Sequence, residues 1–281
     1  MKRYDIDMQT NKFTRLVVAG DSWTYGSEIR DPKLPMSVND WDEPNDAYRL
    51  PRIWPTKLGN HLGVSDVVNL SYPAASNDRI VRNLVGWLTQ EYLSTGKDTS
   101  ELFVVVGFTS PERKDFYYRD IDNKNTHFWY TLWPMWKHKY PQAELNEFAE
   151  LYAAYMWNPE EYTHRYLQQV FYLQTMFNQY GIKHMFFQAF YQRNDMHIRQ
   201  WTDDPYNRHY QGQPDEMVWN MIDPVRFMHK NDEVQSFHNY IVKRDTSPGQ
   251  KESILNMHPS ELGHTWWADH MYEYGKENKL W

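Results

Sequence analysis

The residues best suited to covalent chemistry stand near the two ends of the chain. Gly20-Asp21-Ser22 closes a short apolar run, Leu16-Val17-Val18-Ala19, and Trp23-Thr24-Tyr25-Gly26 follows. The run is short, β-branched and ended by glycine, which predicts a buried strand. A serine just past the C-terminal end of such a strand stands on the rim of an open α/β sheet, where ligands bind. There the Ser22 hydroxyl is a candidate nucleophile, and neighbouring backbone N–H groups can face a developing oxyanion. The same letters also make an ordinary turn, since Gly, Asp and Ser are common turn formers. At the other end, His258-Pro259-Ser260-Glu261-Leu262-Gly263-His264 precedes a stretch of helical spacing and brings an imidazole suited to general-base work.

Gly20-Asp21-Ser22 together with His258-Pro259-Ser260 resembles the two end motifs of the SGNH hydrolases, also called GDSL esterases. The resemblance implies that Ser22 is the nucleophile and His258 its general base, meeting across the top of the sheet. The family carries an aspartate three residues before the histidine. Here that position is Leu255, and Asn256 is the nearest polar side chain. Either Asn256 or a backbone carbonyl, the latter giving a Ser–His dyad, is left to orient the ring. An amide stabilises an imidazolium less than a carboxylate does. His264 is expected to pack within the C-terminal helix.

Two middle segments extend the resemblance, with substitutions. Asn69-Leu70-Ser71-Tyr72-Pro73-Ala74-Ala75-Ser76-Asn77 reads as a strand end, a turn and a helix cap at Ser76 or Asn77. Free N–H groups at such a helix start suit an anion, although a capped helix with no catalytic task reads the same way. The family places a glycine of the oxyanion hole here, and this chain has Ala74. Where the family has Gly-x-Asn-Asp, this chain has Gly107-Phe108-Thr109-Ser110. A side-chain donor of an oxyanion hole contributes about 3 kcal/mol, so the exchange matters. The substitution leaves three outcomes open: an altered hole using Thr109, a rescue by Asn77 or Arg113, or lost activity. Arg113 alone reads as a surface salt-bridge partner. The Thr109-Ser110-Pro111-Glu112-Arg113 and His258–His264 variants resemble phage-encoded members, which implies a viral origin.

Elements able to position these residues follow from periodicity. Glu101-Leu102-Phe103-Val104-Val105-Val106-Gly107 is an unbroken apolar run typical of a central parallel strand. Asp66-Val67-Val68-Asn69-Leu70 and Ile182-Lys183-His184-Met185-Phe186-Phe187-Gln188-Ala189-Phe190 read as two further strands, with His184 early in the second, at the end away from the site. Helices are predicted from Trp54-Pro55 to near Gly63, from Asp78 to Tyr92, and from the Asn158 cap with Pro159 to Tyr180. Residues 27–52, rich in Asp, Pro and Asn, read as a long loop. Residues 114–157 and 194–249 read as insertions forming a lid or pocket wall, with helices near 145–156 and 215–221. The expected fold is one α/β domain over 1–281. It is a three-layer α/β/α sandwich around a parallel sheet of about five strands, of the SGNH and flavodoxin-like kind.

Composition narrows the function classes. A net charge of −7 argues against a nucleic-acid surface. The absence of cysteine excludes disulfides and thiolate metal sites. His197, His209, His229 and His238 lack metal-ligand spacing, so no metal and no cofactor are expected. With no signal-like N-terminus and no membrane-length apolar run, the expectation is cytoplasmic, or virion-borne or lysis-released if viral. Aromatic content of 17%, with 13 Trp and 21 Tyr, suits a ligand groove. Trp129, Trp133 and Trp136 read as a stacking surface or, structurally, as lid filling. Oligomeric state stays open.

The leading expectation is a serine esterase acting on a small-molecule or carbohydrate ester, such as a carbohydrate O-acetyl group. The alternatives are an inactive scaffold binding a glycan or protein, and an acyltransferase using the same residues.

Overall fold

Alternation within the apolar runs decides the layers. In the computed structural model, which describes residues 13–120, 127–133, 140–190, 213–230, 236–245 and 252–281, four parallel strands stand in the order β2-β1-β3-β6. These are β1 (Arg15–Ala19), β2 (Asp66–Asn69), β3 (Leu102–Phe108) and β6 (Lys183–Gln188). Val17 lies opposite Val68 on one side and Val104 on the other, and Val106 lies opposite Phe186. Order and direction are those of a doubly wound sheet.

Successive residues of each strand serve opposite faces. Val17, Ala19, Val104, Val106, Phe108 and Phe186 pack against α4 (Asn77–Leu88), α6 (Pro159–Gln179) and α7 (Gln213–Met221). Leu16, Val18, Phe103, Val105, Met185 and Phe187 pack against α3 (Trp54–Leu62), α8 (Phe237–Arg244) and α9 (Glu261–Glu277). The result is a three-layer α/β/α sandwich. Each fully buried valine or phenylalanine contributes about 1.5–3 kcal/mol, so the central strand β3, buried at all seven positions, anchors the core.

The sheet has four strands among the described residues, where about five were expected. The fifth place, beyond β6, holds a single parallel bridge, Phe186 to Phe227. Phe186 N–H donates to Arg226 O at 2.7 Å, and Met228 N–H donates to Phe186 O at 2.8 Å. Asp223-Pro224 opens a turn just before this contact, and Lys230 N–H bonds back to Phe227 O at 3.1 Å, so pairing stops after one residue.

Short helices and a hairpin complete the chain. α1 (Ser22–Tyr25) follows β1, and α2 (Asp46–Arg49) interrupts the expected loop at 27–52. β4 (Lys114–Arg119) and β5 (His127–Leu132) pair antiparallel as a hairpin that sets Phe116 opposite Tyr130. With α5 (Ala143–Leu151) it forms a small separate core of Tyr118, Tyr130, Leu132, Leu145 and Tyr152. Trp136, His197, His209 and half of 194–249 lie outside the described residues. Among the described residues no helix is long and apolar enough to cross a membrane.

Asp115 fastens this hairpin to the sandwich. Its buried carboxylate accepts from Ser76 Oγ (2.6 Å), Thr131 Oγ1 (2.6 Å), Arg82 Nη2 (2.7 Å) and Arg79 Nε (3.3 Å). Burial pushes the carboxyl up, but those hydrogen bonds and the Arg79 charge outweigh it and hold the group below its usual range. Such a group stabilises the fold fully above its unfolded pKa of about 4 and loses that contribution as pH falls through the lower folded value. Asp115→Asn should cost about 2–4 kcal/mol at neutral pH, the lower end because both arginines reach solvent. Urea unfolding at pH 7 and below pH 4 checks both parts. The gap between wild type and variant should narrow in acid, and an equal gap at both pH values would contradict the assignment.

Candidate functional site

Ser22 is placed by a tight turn at the end of β1. Asp21 caps α1, its Oδ1 accepting from Trp23 N–H at 3.0 Å, and Gly26 ends the helix at φ +86°. Glycine is required at 20: a Cβ there would lie 2.3 Å from Thr24 Oγ1. Ser22 is 7% exposed, and its hydroxyl and its N–H have no hydrogen-bond partner among the described residues, His258 included.

The loop after β2 runs beside it. Leu70 N–H donates to Val18 O at 2.8 Å and Tyr72 N–H to Gly20 O at 3.2 Å, which draws 70–74 along the serine turn. Ala74 has φ +58°, the left-handed region that favours glycine. The conformation of a glycine is therefore kept without one. The Ala74 N–H has no partner among the described residues.

Thr109, Asn77 and Arg113 come together on the other side of the turn, around Asp21. Thr109 Oγ1 donates to Asp21 Oδ2 at 2.6 Å. The Asn77 amide closes a reciprocal pair with the Thr109 backbone, accepting from its N–H at 2.8 Å and donating to its C=O at 3.1 Å. Arg113 is buried rather than on the surface, because its guanidinium sits 3.6 Å from Asp21 Oδ2 and stacks over Trp133 at 4.7 Å. All three side chains thus have internal partners, whereas the Ser22 and Ala74 N–H groups have none among the described residues.

His258 is presented by a narrow turn. Ile254 bridges Pro259, and Leu255 N–H donates to His258 O at 2.8 Å. Ser260 caps α9 with its hydroxyl. Asn256 stands exposed at the tip with no hydrogen bond among the described residues. The partner of the ring is Glu28, whose Oε1 lies 3.1 Å from His258 Nδ1. Glu28 also accepts from Met257 N–H at 3.1 Å. It follows α1 by three residues, so this contact brings the histidine turn to the segment leaving Ser22. Sequence reasoning missed Glu28, because its partner is 230 positions away and no local spacing marks it.

His264 and His184 are accounted for by packing. His264 is buried, its Nδ1 accepting from Trp54 N–H at 3.3 Å, and burial with the nearby Lys57 and His258 pulls it down to about 3. Burial likewise pulls His184 down to about 4, with Nδ1 against Ile182 O. No group of three or more metal-ligating side chains converges among the described residues.

A solvent-facing row of rings borders this corner. Tyr72 is 53% exposed beside Ala74, and Tyr117 and Trp129 of the hairpin are 52% and 45% exposed. Arg79 lies over Tyr72 at 5.0 Å and Arg82 over Trp129 at 4.0 Å.

This is a serine-bearing strand-to-helix turn on a doubly wound sheet, with the loop after β2 drawn along it by the Tyr72–Gly20 hydrogen bond. The chain belongs to a family of unknown function, DUF6071, whose model matches residues 36–207, more than half of the chain. No curated protein matches it. Solved structures similar to it include a psychrotrophic esterase, EstA, from Pseudoalteromonas sp. (10% identity, 94% of this chain and 97% of that one, TM-score 0.44). An acetyl xylan esterase, AlAXEase, is 12% identical over 92% and 98%, with a TM-score of 0.38. A lipase/acylhydrolase from Enterococcus faecalis is 13% identical over 94% and 96%, also at 0.38. Likenesses this remote leave the residue roles to the geometry above.

A left-handed alanine costs about 1–2 kcal/mol relative to glycine, part of which the freer unfolded glycine chain offsets. Ala74→Gly should therefore raise stability by about 1 kcal/mol, read as a higher urea midpoint. A lower midpoint would mean that the methyl group packs favourably there.

Proposed function

We propose that the chain is a serine ester hydrolase in which Ser22 Oγ attacks an acyl carbonyl. The observation that carries this reading is the unpartnered Ser22: hydroxyl and N–H are both available at a strand-to-helix turn, whereas the polar side chains around it are engaged. His258 takes the serine proton as the C–O bond forms, then gives it to the leaving alcohol. Its hydrogen bond to serine closes on substrate arrival, since such contacts are commonly long in empty sites. Ser22 N–H and Ala74 N–H stabilise the oxyanion. Thr109, Asn77 and Arg113 act behind them, setting the shape of the turn through Asp21. Water then hydrolyses the acyl-serine by the same route, with His258 as base.

The substrate class this reading favours is an O-acylated carbohydrate. Tyr72 lies on the loop along the serine turn, and Trp129 and Tyr117 of the hairpin are exposed near it through Arg79; aromatic rings of this kind suit sugar rings. Transfer of the acyl group to an alcohol uses the same residues and differs only in the acceptor admitted.

A non-catalytic scaffold is favoured by one observation, the engagement of the Thr109 hydroxyl by Asp21, which leaves the hole with two donors. p-Nitrophenyl acetate hydrolysis by wild type, Ser22→Ala and His258→Ala separates the readings. Loss of at least about 100-fold in each variant, with native circular dichroism, supports the esterase. Rates equal to the variants, with no labelling of Ser22 by a fluorophosphonate, would support the scaffold.

A further inference from the structure

Glu28 is held in an unusual way for a loop glutamate. Its backbone has φ +70°, which a non-glycine residue keeps only when its surroundings fix it. The fixing groups are present: its N–H donates to Asp40 Oδ2, and its Oε2 accepts from Met257 N–H at 3.1 Å. The other carboxylate oxygen is left facing His258 Nδ1 at 3.1 Å. That nitrogen is shut off from solvent, and the carboxylate oxygen is its nearest polar neighbour, standing somewhat off the line of the ring N–H. Nε2 makes no hydrogen bond among the described residues. The other groups near this corner are Asp40, held on the Glu28 backbone, and His264, whose neutral ring lies among Lys57, His258 and Arg49.

We propose that Glu28 is the positioning residue of His258. It holds the imidazole as the Nδ1–H tautomer, leaving Nε2 with the lone pair that a general base needs. The inference rests on the serine–histidine reading above. It assigns the orienting acid to the segment after the nucleophile helix, in place of position 255 or Asn256 on the histidine turn. A carboxylate with one oxygen fixed by a backbone N–H and the other against Nδ1 sets both ring orientation and tautomer, and it stabilises the imidazolium formed during attack.

The Met257 N–H makes the consequence of Glu28→Gln sharp. That N–H already donates to one side-chain oxygen, and the introduced amide keeps this bond by turning its own oxygen to Met257. Its NH₂ then faces Nδ1, which has to become an acceptor, and the ring proton moves to Nε2. The base is thereby disabled without loss of volume.

Nitrogen-15 NMR of the ring at alkaline pH, where imidazoles are neutral, reads this directly. The chain has 12 histidines, and His258→Ala assigns the signal. The expected result is Nδ1–H in wild type and Nε2–H in Glu28→Gln, with a fall in ester hydrolysis on the order of 10³–10⁴-fold. Nε2–H already in wild type, or Nδ1–H retained in the folded variant, would overturn the proposal. Should Glu28→Gln not fold, Glu28→Asp decides: its carboxylate is one methylene further away, so an upfield move of the Nδ1 proton supports the contact and an unchanged proton overturns it. The tautomer needs no catalysis to be read. A tautomer switch in a protein without esterase activity would keep the Glu28 assignment and discard the hydrolase reading alone.

Discussion

The site depends on a single buried carboxylate. Asp21 has no solvent exposure, and it sits at the point where β1, α1 and β3 meet. A charge taken out of water there is tolerable only with strong partners on both oxygens. One oxygen accepts the Trp23 N–H, which starts α1, while the other takes the Thr109 hydroxyl and faces Arg113. The network continues outward: Thr109 pairs with Asn77 at the start of α4, and Ser76, the cap of that helix, donates to Asp115 of the hairpin. Strand ends, helix starts and hairpin are thus locked into one polar seam beneath the serine.

This seam explains the division of labour at the site. Side chains near Ser22 that look available for a ligand, Thr109, Asn77 and Arg113, are the ones that satisfy Asp21 and one another. Turning any of them toward substrate would leave a buried partner unpaired, at about 1–3 kcal/mol for a neutral group and more for a charge. Backbone N–H groups carry no such debt, because the turns that expose them already satisfy their neighbours. A donor set made of main chain is therefore the arrangement this seam permits.

The framework was legible where local physics dominates. β1 and β3 read from apolar runs and β6 from the apolar centre of its segment, α6 from Asn158 and Pro159, and the end of α3 from Gly63 at φ +69°. The hairpin was not legible. In Lys114–Arg119 charged and aromatic residues alternate irregularly, and its buried carboxylate Asp115 reads in sequence as a surface residue. The fifth strand, expected with the SGNH-like sandwich, is reduced to the Phe227 bridge by the turns around it. Arg113 looked like a surface cation because its partners, Asp21 and Trp133, lie far off in sequence. Glu28 was illegible for the same reason. Long-range polar pairs are what periodicity cannot carry, and this site is made of them.

Backbone strain bears on the same corner. Of the four described non-glycine residues at positive φ, Ala74 and Glu28 both border the serine turn. Each conformation costs about 1–2 kcal/mol and persists only where neighbours over-determine it. Ala74 is held between the Tyr72–Gly20 hydrogen bond and the Ser76 cap, and Glu28 between Asp40 and Met257. In both cases the strained residue points a polar group in a direction the relaxed backbone would not give. Returning Ala74 to negative φ swings its N–H away from the serine turn, and relaxing Glu28 withdraws its carboxylate from the imidazole. Strain at these two positions is thus the local cost of orientation, set against the rigid seam that Asp21 builds below them.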